Sequence, residues 1–496
     1  MVSHVRGGSA LDASGLTPVQ WRLLVIVYRL LPFAVAFRRD FRRWIFFGAP
    51  AIRTPADHER RATQLVASLA ELGPTFVKGA QLFAGRSDIL LPTYARALTS
   101  LTDQVPMVAL AEVERIIVEE YGAPAHELFE RFDVLPLAAA SLGQVHRATY
   151  EGRDVVVKVL RPGVEALVTE DVRVSLRLLD LFDRHAPGNP HVRALRTVVE
   201  QFSLHVWEEM DFRHEAANAE AIRANFAGDR NVAIPRIEAA LVRQHVLVME
   251  YMAGTRIDAL GSLVAAGRLD ASAVVRRVME LYIQMMLVDG LFHADPHPGN
   301  LLVADDGTLV LLDFGMVVPV PAATRRALVA TAFAGIKRDA AGVVAGFHSL
   351  GVVAPGADPA RIRTLVELLF VVADSHSTAM ERARLLADEV MANLHDFPVE
   401  LPGEMVYFAR TAALIEGVGV RYDARFNAAS FATPVALRMR GRIVASLREG
   451  APPGSDDLLA SLGGVLGEVA GIVANAGRQI VGLLQERIAL GGVRLD

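Results

Sequence analysis

The stretch from residue 292 to residue 300 reads Phe-His-Ala-Asp-Pro-His-Pro-Gly-Asn, and an apolar run separates it from Asp-Phe-Gly at residues 313–315. Asp295 is followed five residues later by the amide of Asn300, and Asp313 follows a segment typical of a strand. Because Mg²⁺ prefers hard oxygen ligands, Asn300 and Asp313 are candidate metal ligands, and Asp295 is a candidate catalytic acid or base. This order and spacing predict phosphoryl-transfer chemistry with ATP or ADP and Mg²⁺ as cofactors.

A candidate phosphate-binding lysine lies upstream, in the run Asp-Val-Val-Val-Lys-Val-Leu at residues 154–160. In a strand, Lys158 shares one face with apolar neighbours, where an ammonium group is costly without an anionic partner. Glu209 and Glu215 follow on a predicted helix and can supply that partner. Helical spacing separates these two acids by nearly two turns, so we expect them to serve different partners.

Composition limits the classes of protein to which this chain can belong. Its 496 residues are 52% hydrophobic and 22% charged, with a mean hydropathy of +0.31, which excludes a disordered chain. The net charge of −5 gives no general attraction to nucleic acid, which we exclude as a partner. Cysteine is absent, so disulfides and thiolate chemistry are excluded. Three of the 51 basic residues are lysine (Lys78, Lys158 and Lys337), so a retained lysine indicates a site that needs a compact charge.

The segment from residue 21 to residue 47 combines eight aromatic side chains with six arginines. Its longest uncharged run, residues 30–37, is far shorter than the roughly 18 residues of a membrane-spanning helix. Such a basic, aromatic, amphipathic segment is typical of helices that lie on an anionic membrane surface. The alternative is a helix whose aromatic side chains pack on the main domain. Because the first 20 residues show no signal-peptide pattern, we expect a cytoplasmic protein bound peripherally to the cytoplasmic membrane.

The segment after residue 450 carries a second amphipathic pattern. Its apolar side chains alternate spacings of four and three, which places them on one helical stripe: Leu462, Leu466, Val469, Val473, Ala476, Ile480 and Leu483. Glu468 and Arg478 interrupt the segment, so a membrane span is not favoured. The stripe is predicted to dock on the protein's own surface, on a second copy in a homodimer, or on the membrane.

Several motifs, in one order, resemble those of the UbiB/AarF family of atypical, protein-kinase-like proteins. The likeness runs from about Leu72 to about Asn427 and rests on Lys78-Gly79-Ala80-Gln81, Ala138 to Ser141, Val157-Lys158, Glu209-Met210-Asp211, His293 to Asn300 and Asp313-Phe314-Gly315. The resemblance implies an α+β, protein-kinase-like bilobal fold with a small β-containing N-lobe, a helical C-lobe and an N-terminal helical extension. The corresponding divisions are a membrane-proximal segment (1–50), the extension (51–130), the N-lobe (131–253), the C-lobe (254–449) and a tail (450–496).

The resemblance also implies a role for each matching residue. Lys158 would bind the α and β phosphates and pair with Glu215, and Asp295 would be the catalytic-loop acid. Asn300 and Asp313 would be the Mg²⁺ ligands. The residues assigned to nucleotide binding are Ala138, Ala139, Ala140, Ser141, Lys158, Glu250 and Met252.

The extension motif of the family is Lys-x-Gly-Gln, and this chain carries it with one departure. Lys78 and Gln81 match at i, i+3 and share one helical face, whereas Ala80 stands where the family has glycine. By the resemblance, Lys78 and Gln81 project toward the acids Glu209 and Asp211. A helix in that position would hinder a protein substrate.

The family is tied to isoprenoid-quinone metabolism, so the resemblance implies an ATPase or a small-molecule or lipid kinase that supports ubiquinone-type lipid biosynthesis. No Ala-Pro-Glu follows residues 313–315, so phosphorylation of protein is not expected. The expected partners are a nucleotide, a lipid or quinone-type small molecule and an anionic membrane surface. Two alternatives stay open: a soluble small-molecule phosphotransferase, and a nucleotide-gated scaffold or lipid-handling pseudokinase.

Overall fold

The structure is a computed structural model that describes residues 17–41, 54–84, 92–99, 107–139, 142–185, 206–353, 356–374, 402–423 and 426–448, with a few positions between 196 and 203. The chain divides into two compact units. Unit 1 comprises Met1–Ala224, Ile234–Met252 and Asp313–Gly315, and unit 2 comprises Asn225–Ala233, Ala253–Leu312 and Met316–Asp496. Each unit therefore combines segments that are far apart in the sequence.

Helices make up most of the described chain. In chain order they are α1 (Pro18–Phe41), α2 (Pro55–Leu72), α3 (Pro74–Ala84), α4 (Pro92–Thr99), α5 (Leu110–Tyr121), α6 (Ala125–Leu128), α7 (Val164–His185), α8 (Phe212–Asn225), α9 (Gly261–Ala265), α10 (Ala271–Ile283), α11 (Ala322–Ile336), α12 (Ala340–Ser349), α13 (Pro359–Asp374), α14 (Gly403–Tyr422) and α15 (Ala428–Arg448). Helix α10 continues as a π-helical turn, Gln284–Asp289.

The strands are short, with two exceptions of eight residues each. In chain order they are β1 (Arg131–Phe132), β2 (Ala138–Ala139), β3 (Gly143–Tyr150), β4 (Arg153–Leu160), β5 (Val232–Ala233), β6 (Val246–Glu250), β7 (Thr255–Arg256), β8 (Leu291–His293), β9 (Leu301–Val303), β10 (Leu309–Leu311) and β11 (Val317–Pro319). Antiparallel pairing dominates, so the predicted α+β class is confirmed.

Local sequence explains where the helices of the extension begin and end. The Thr54 side chain accepts a hydrogen bond from the backbone of Asp57, and the Asp57 carboxylate accepts one from the backbone of Thr54, which completes a capping box for α2. Helix α2 ends at Gly73, whose φ of 102° is a conformation that favours glycine. Pro74 then starts α3, because its fixed φ suits the first helical position. This tight turn places Lys78 in the second turn of α3.

Within unit 1, helix α1 packs through one of its faces on α2 and α7. Ile26 is buried in a cluster with Leu72 of α2 and Val174 of α7. On the same side, Nε of Arg22 lies 2.6 Å from Oδ1 of Asp171, whose side chain is fully buried. Arg22, one of the six arginines of the 21–47 segment, therefore pairs with a buried carboxylate inside unit 1.

The sheet of unit 1 carries Lys158. Its strands run in the order β1-β3-β4-β6, with β2 paired to β3. In β4 the side chains of Val155, Val157 and Val159 join the apolar core under α5. Lys158 therefore lies on the opposite face of the sheet, where it is paired with Leu247 of the neighbouring strand β6.

In unit 2, the stretch from residue 292 to residue 300 is held between short strands. Strand β8 ends at His293 and pairs with β11, and the 3₁₀ turn Pro298–Asn300 leads directly into β9. Strands β9 and β10 pair in a sheet of order β5-β10-β9-β7. The loop that carries Asp295 and Asn300 is thus fixed at both of its ends.

Two further segments follow their local sequence patterns. The apolar run at residues 245–251, which is typical of a strand, forms β6. Residues 56–130 and 164–225, whose patterns are mostly helical, contain helices in their described parts. Residues 42–47 and the C-terminal stripe lie outside the described residues. Within the described chain, no helix combines the length and the apolar character that crossing a membrane requires.

Candidate functional site

Unit 1 brings a lysine on a strand against a glutamate on a helix. Nζ of Lys158 lies 2.8 Å from each carboxylate oxygen of Glu215 in the first turn of α8. The two side chains are 12% and 3% exposed. Phe212, the first residue of α8, places its ring centroid 5.2 Å from the same Nζ atom. The ammonium group is therefore held by one bidentate carboxylate and covered by an aromatic ring.

Asp313 is the third member of this cluster. Its Oδ2 lies 3.5 Å from Nζ of Lys158, and its Oδ1 accepts a 3.1 Å hydrogen bond from the backbone of Gly315. Its φ of 57° is left-handed, which is uncommon outside glycine and frequent at functional sites. Burial lowers the pKa of Lys158, but the charges of Asp313 and Glu215 outweigh burial and raise that pKa above its ordinary value. Lys158 is thus a charged ammonium beside a carboxylate that is 40% exposed.

Within unit 1, the extension helix α3 contacts the segment before α8 through Lys78. Its Nζ lies 2.9 Å from Oε2 of Glu209, and the two side chains are 16% and 9% exposed. Oδ2 of Asp211 lies 2.6 Å from Arg213, and this hydrogen bond lowers the pKa of Asp211, while its expected contact with the extension helix stays a prediction. The charge of Glu209 also acts on Lys158. Glu209 therefore couples the two lysines electrostatically, while Asp211 pairs within its own segment.

The departure from the family motif at Ala80 is accommodated. Ala80 is 2% exposed and packs in a cluster with Val77 and Leu98. Helix α3 continues through Gln81, whose side chain lies outside what the structure describes. The contact expected of Gln81 stays a prediction.

The described residues that were assigned to nucleotide binding lie in strands β2, β4 and β6 and in the chain after β6. Ala138–Ala139 form β2 and pair with β3, so the start of the alanine-rich loop is strand. Residues 140–141 (Ala140 and Ser141) lie outside the described residues. Glu250 ends β6 and its Oε2 accepts a 3.2 Å hydrogen bond from the backbone of Arg236, and Met252 follows in irregular chain. Their role toward a nucleotide stays a prediction.

Unit 2 brings Asp295 and Asn300 together. Nδ2 of Asn300 donates to both the backbone oxygen and Oδ2 of Asp295, each at 3.2 Å. Nδ1 of His297 accepts a hydrogen bond from the backbone of Gly299, where an added Cβ would lie 2.9 Å from that ring nitrogen. The backbone oxygen of Asn300 accepts from Leu312 at 2.8 Å. Asn300 is therefore fixed through both its main chain and its side chain.

Comparison with known proteins identifies the family. Residues 100–346 match the ABC1 atypical kinase-like domain. An uncharacterized protein of Synechocystis is 32% identical over 438 residues, which covers 88% of this chain and 76% of that relative. The chloroplastic protein ACTIVITY OF BC1 COMPLEX KINASE 7 of Arabidopsis thaliana is 31% identical over 405 residues, which covers 81% of this chain and 58% of that relative. The chain belongs to the ABC1 family of atypical kinase-like proteins.

A solved structure agrees with the ABC1 assignment at the level of the fold. Rv3197 of Mycobacterium tuberculosis, determined in a complex with erythromycin, matches with a TM-score of 0.52 and 22% identity. The match covers 73% of this chain and 92% of that chain. The kinase-like fold and the UbiB-type resemblance are thus confirmed.

The ABC1 chain holds its predicted chemical residues in two groups. Lys158, Glu215 and Asp313 lie in unit 1, and Asp295 and Asn300 lie in unit 2. Each group contains an oxygen donor of a type that suits Mg²⁺: the exposed carboxylate of Asp313 in unit 1 and the side-chain amide of Asn300 in unit 2. Their roles as metal ligands stay predictions.

One further residue of this ABC1 chain contacts Asp295 and could not be predicted from the sequence. Nη2 of Arg410, on α14, lies 3.2 Å from Oδ1 of Asp295. The two residues are 115 positions apart, and arginine is the usual basic residue of this chain. Nothing in the local pattern around Arg410 therefore distinguishes it from a solvated helix arginine.

Proposed function

We propose that the chain is a Mg²⁺-dependent, ATP-binding enzyme that hydrolyses ATP or transfers its terminal phosphoryl group to a small or lipid-like acceptor. The observation that carries this proposal is the position of Lys158 between Glu215 and Asp313. A buried ammonium, fixed by one buried carboxylate, supplies a constant positive charge for phosphate oxygens. The exposed carboxylate beside it supplies a ligand for the cation that accompanies them.

In this proposal each group of residues has one task. Lys158 binds the α and β phosphates, and Glu215 keeps its ammonium in place. Asp313 and Asn300 hold Mg²⁺, which when bound neutralises charge on the phosphate oxygens. Asp295 orients the accepting hydroxyl or water, and the hydrogen bond from Asn300 fixes its carboxylate.

The acceptor class in this proposal is an isoprenoid-quinone-type lipid or a precursor of one, in support of ubiquinone-type lipid biosynthesis. Two observations support a non-protein acceptor: Ala-Pro-Glu is absent after residues 313–315, and the Lys78–Glu209 ion pair joins the extension helix to a neighbouring segment of unit 1. The same ion pair weighs against a soluble small-molecule phosphotransferase, in which this extension motif is not expected. The Arabidopsis relative is named a kinase.

Phosphate release from ATP by the full chain, measured with and without Mg²⁺, tests the enzymatic part of the proposal. We expect Mg²⁺-dependent turnover in the wild type and its loss in Asp313→Asn. Asp305→Asn is the matched control, because the Asp305 side chain is 91% exposed in a loop. If the wild type releases no phosphate in the presence of Mg²⁺, the chain is not this enzyme.

A nucleotide-gated scaffold uses the same ligands, and the same variant separates the two functions in cells. If quinone levels fall in cells that carry Asp313→Asn, turnover serves quinone production. If quinone levels stay normal although the purified variant has lost turnover, the scaffold is favoured over the enzyme.

We further propose that the chain binds an anionic membrane surface peripherally through α1. The outward face of this helix exposes a stripe of large apolar side chains that are 43–77% exposed: Trp21, Leu24, Tyr28, Leu31 and Val35. Their spacing alternates three and four residues, which sets the stripe opposite the buried Ile26. Tryptophan and tyrosine are suited to the headgroup region of a bilayer.

Not every arginine of the segment is available to lipid. Arg22 pairs with Asp171, and Arg29 pairs with Glu71. The remaining basic residues are at positions 38 and 39, in the last turn of α1, and at positions 42 and 43, which follow α1 in the sequence. Each basic residue near an anionic leaflet contributes about 1 kcal/mol to binding, so this cluster can supply the electrostatic part of the association.

Co-flotation with vesicles of phosphatidylcholine and phosphatidylglycerol tests the membrane proposal. We expect the wild type to float at low salt and to be released at high salt. The double variant Trp21→Ser/Tyr28→Ser should lose flotation, whereas Leu135→Ser, at a position 78% exposed elsewhere in unit 1, should float normally. Wild-type protein that stays with the soluble fraction, or a double variant that floats as well as the wild type, contradicts binding through α1.

A further inference from the structure

Helix α14 is fixed in unit 2 by apolar contacts. Met405, Leu414, Ile415 and Val418 are buried, and the ring of Phe408 meets the ring of Phe292 edge-on with centroids 4.9 Å apart. These contacts hold the helix against the elements that carry the 292–300 stretch. Arg410 lies close to Phe408 and Leu414 along the helix. The apolar contacts of α14 do not require its charge.

Arg410 makes a polar contact that apolar packing does not explain. Its Nη2 lies 3.2 Å from Oδ1 of Asp295, while Oδ2 of the same carboxylate accepts from Asn300 at 3.2 Å. Each oxygen of the carboxylate is thus held by a different element of unit 2. The Arg410 and Asp295 side chains are 22% and 25% exposed, and ion pairs in such partly wet places contribute little to folding stability.

A buried phenol is influenced by this pair. Tyr282 of α10 is fully buried, and its hydroxyl has no hydrogen-bond partner among the described residues. The charges of both Asp295 and Arg410 act on this phenol. The guanidinium of Arg410 is the counter-charge that the structure places against the Asp295 carboxylate.

We propose that Arg410 is a positioning residue for Asp295, which fixes the orientation of its carboxylate during ATP turnover. This inference rests on the proposed function, because it assigns Asp295 the task of orienting the acceptor. Arg410 itself touches neither substrate nor metal in this proposal. Its removal therefore slows turnover without weakening nucleotide binding.

Steady-state ATP turnover of full-length Arg410→Ala, Arg410→Lys and Arg438→Ala tests the inference. Arg438 is the matched control, because it also pairs with a carboxylate of unit 2, that of Glu280 at 2.8 Å, and is 51% exposed. We expect kcat of Arg410→Ala to fall about 10- to 100-fold with little change in KM for ATP, because misplacement of a reacting group acts on the chemical step. Arg410→Lys should be intermediate, and Arg438→Ala should equal the wild type.

Addition of guanidinium ion at low concentration separates positioning from structural support. We expect it to restore part of the turnover of Arg410→Ala and to leave that of Arg438→Ala unchanged. The inference is overturned if Arg410→Ala turns over like Arg438→Ala, or if its loss is not restored by guanidinium and is matched by a fall in thermal unfolding midpoint. A wild type that binds no nucleotide refutes the proposed function, whereas normal turnover in Arg410→Ala refutes this inference alone.

Discussion

Lys158 and Glu215 form a symmetric ion pair, with Nζ of the lysine 2.8 Å from both carboxylate oxygens of the glutamate. Both side chains are largely buried, and a buried ion pair is by itself weak evidence for stability because removing two charges from water is costly. The symmetric geometry does fix the position of the ammonium beside Asp313. We therefore attribute this pair to phosphate binding more than to folding.

Replacement of Lys158 by alanine should leave Glu215 buried without its counter-charge. We expect the free energy of unfolding to fall by about 3–5 kcal/mol, the usual cost of breaking a buried pair from one side. Nucleotide affinity should fall at least tenfold, because the phosphates lose their fixed charge. Urea unfolding and calorimetric ATP binding measure the two effects, and Lys337→Ala is the control because Lys337 is exposed. If the two lysine variants had equal unfolding free energies and equal nucleotide affinities, the Lys158–Glu215 pair would contribute neither to folding nor to phosphate binding.

The contact between Lys78 and Glu209 should be energetically coupled. Both side chains are mostly buried and their charged atoms lie 2.9 Å apart, so the double-mutant cycle of Lys78→Ala and Glu209→Ala should give a coupling energy of roughly 1–3 kcal/mol. Chemical unfolding of the four proteins provides the values. Additivity within about 0.5 kcal/mol would mean that the extension is held by its apolar contacts alone.

The ion pair of Arg22 should anchor α1. Because Asp171 is fully buried, Arg22→Ala leaves an uncompensated charge, and we expect it to lower the free energy of unfolding by about 3–5 kcal/mol. Arg29→Ala is the matched control on the same helix, because its partner Glu71 is exposed and such pairs contribute little. Urea unfolding compares the two variants. A destabilisation of equal size in both would refute a specific anchor at Arg22.

His146 should make unit 1 sensitive to mild acid. Its Nδ1 contacts the backbone oxygen of Asp133 and its Nε2 contacts the side-chain amide of Gln144, an arrangement that suits the neutral ring. Burial lowers the pKa of His146 below 6.5 in the folded protein, despite the opposing effect of Asp133. Between the folded and unfolded pKa values the unfolded chain therefore binds more protons, so stability is lost as the pH falls below about 6.5.

A glutamine at position 146 isolates this contribution from that of the carboxylates. We expect the stability advantage of the wild type over His146→Gln to shrink as the pH falls from 7.5 to 5, measured by urea unfolding at each pH. An advantage that stays constant over this range contradicts burial of a neutral ring.

Much of the fold follows from local pattern. The alternation around Lys158 correctly predicts a strand with one core-facing side, and the apolar run near residue 247 correctly predicts β6. The position of α1 is harder to predict, because its sequence is apolar on two faces. The choice of which face packs depends on Asp171, which lies 149 residues from its partner Arg22.

At the candidate site, too, contacts between residues near in the sequence are easier to predict than contacts between distant residues. Asp295 and Asn300 are five positions apart, and the structure brings them together as their spacing suggests. Asp211 pairs with an arginine two residues away, Arg213, within its own segment, and its expected contact with Gln81 stays a prediction. Arg410 is invisible in sequence because only the docking of α14 brings it to Asp295.

The central claim is that the chain binds a Mg²⁺-nucleotide through Lys158 and Asp313, and the thermal unfolding midpoint of the full chain tests it most directly. A ligand that binds only the folded state stabilises it by about 2.7 kcal/mol at a concentration 100 times its Kd. We expect ATP or ADP to raise the midpoint of the wild type and of Lys337→Ala when Mg²⁺ is present, and to raise that of Lys158→Ala by half as much or less. A wild-type midpoint that is the same with and without Mg²⁺ and nucleotide would contradict it.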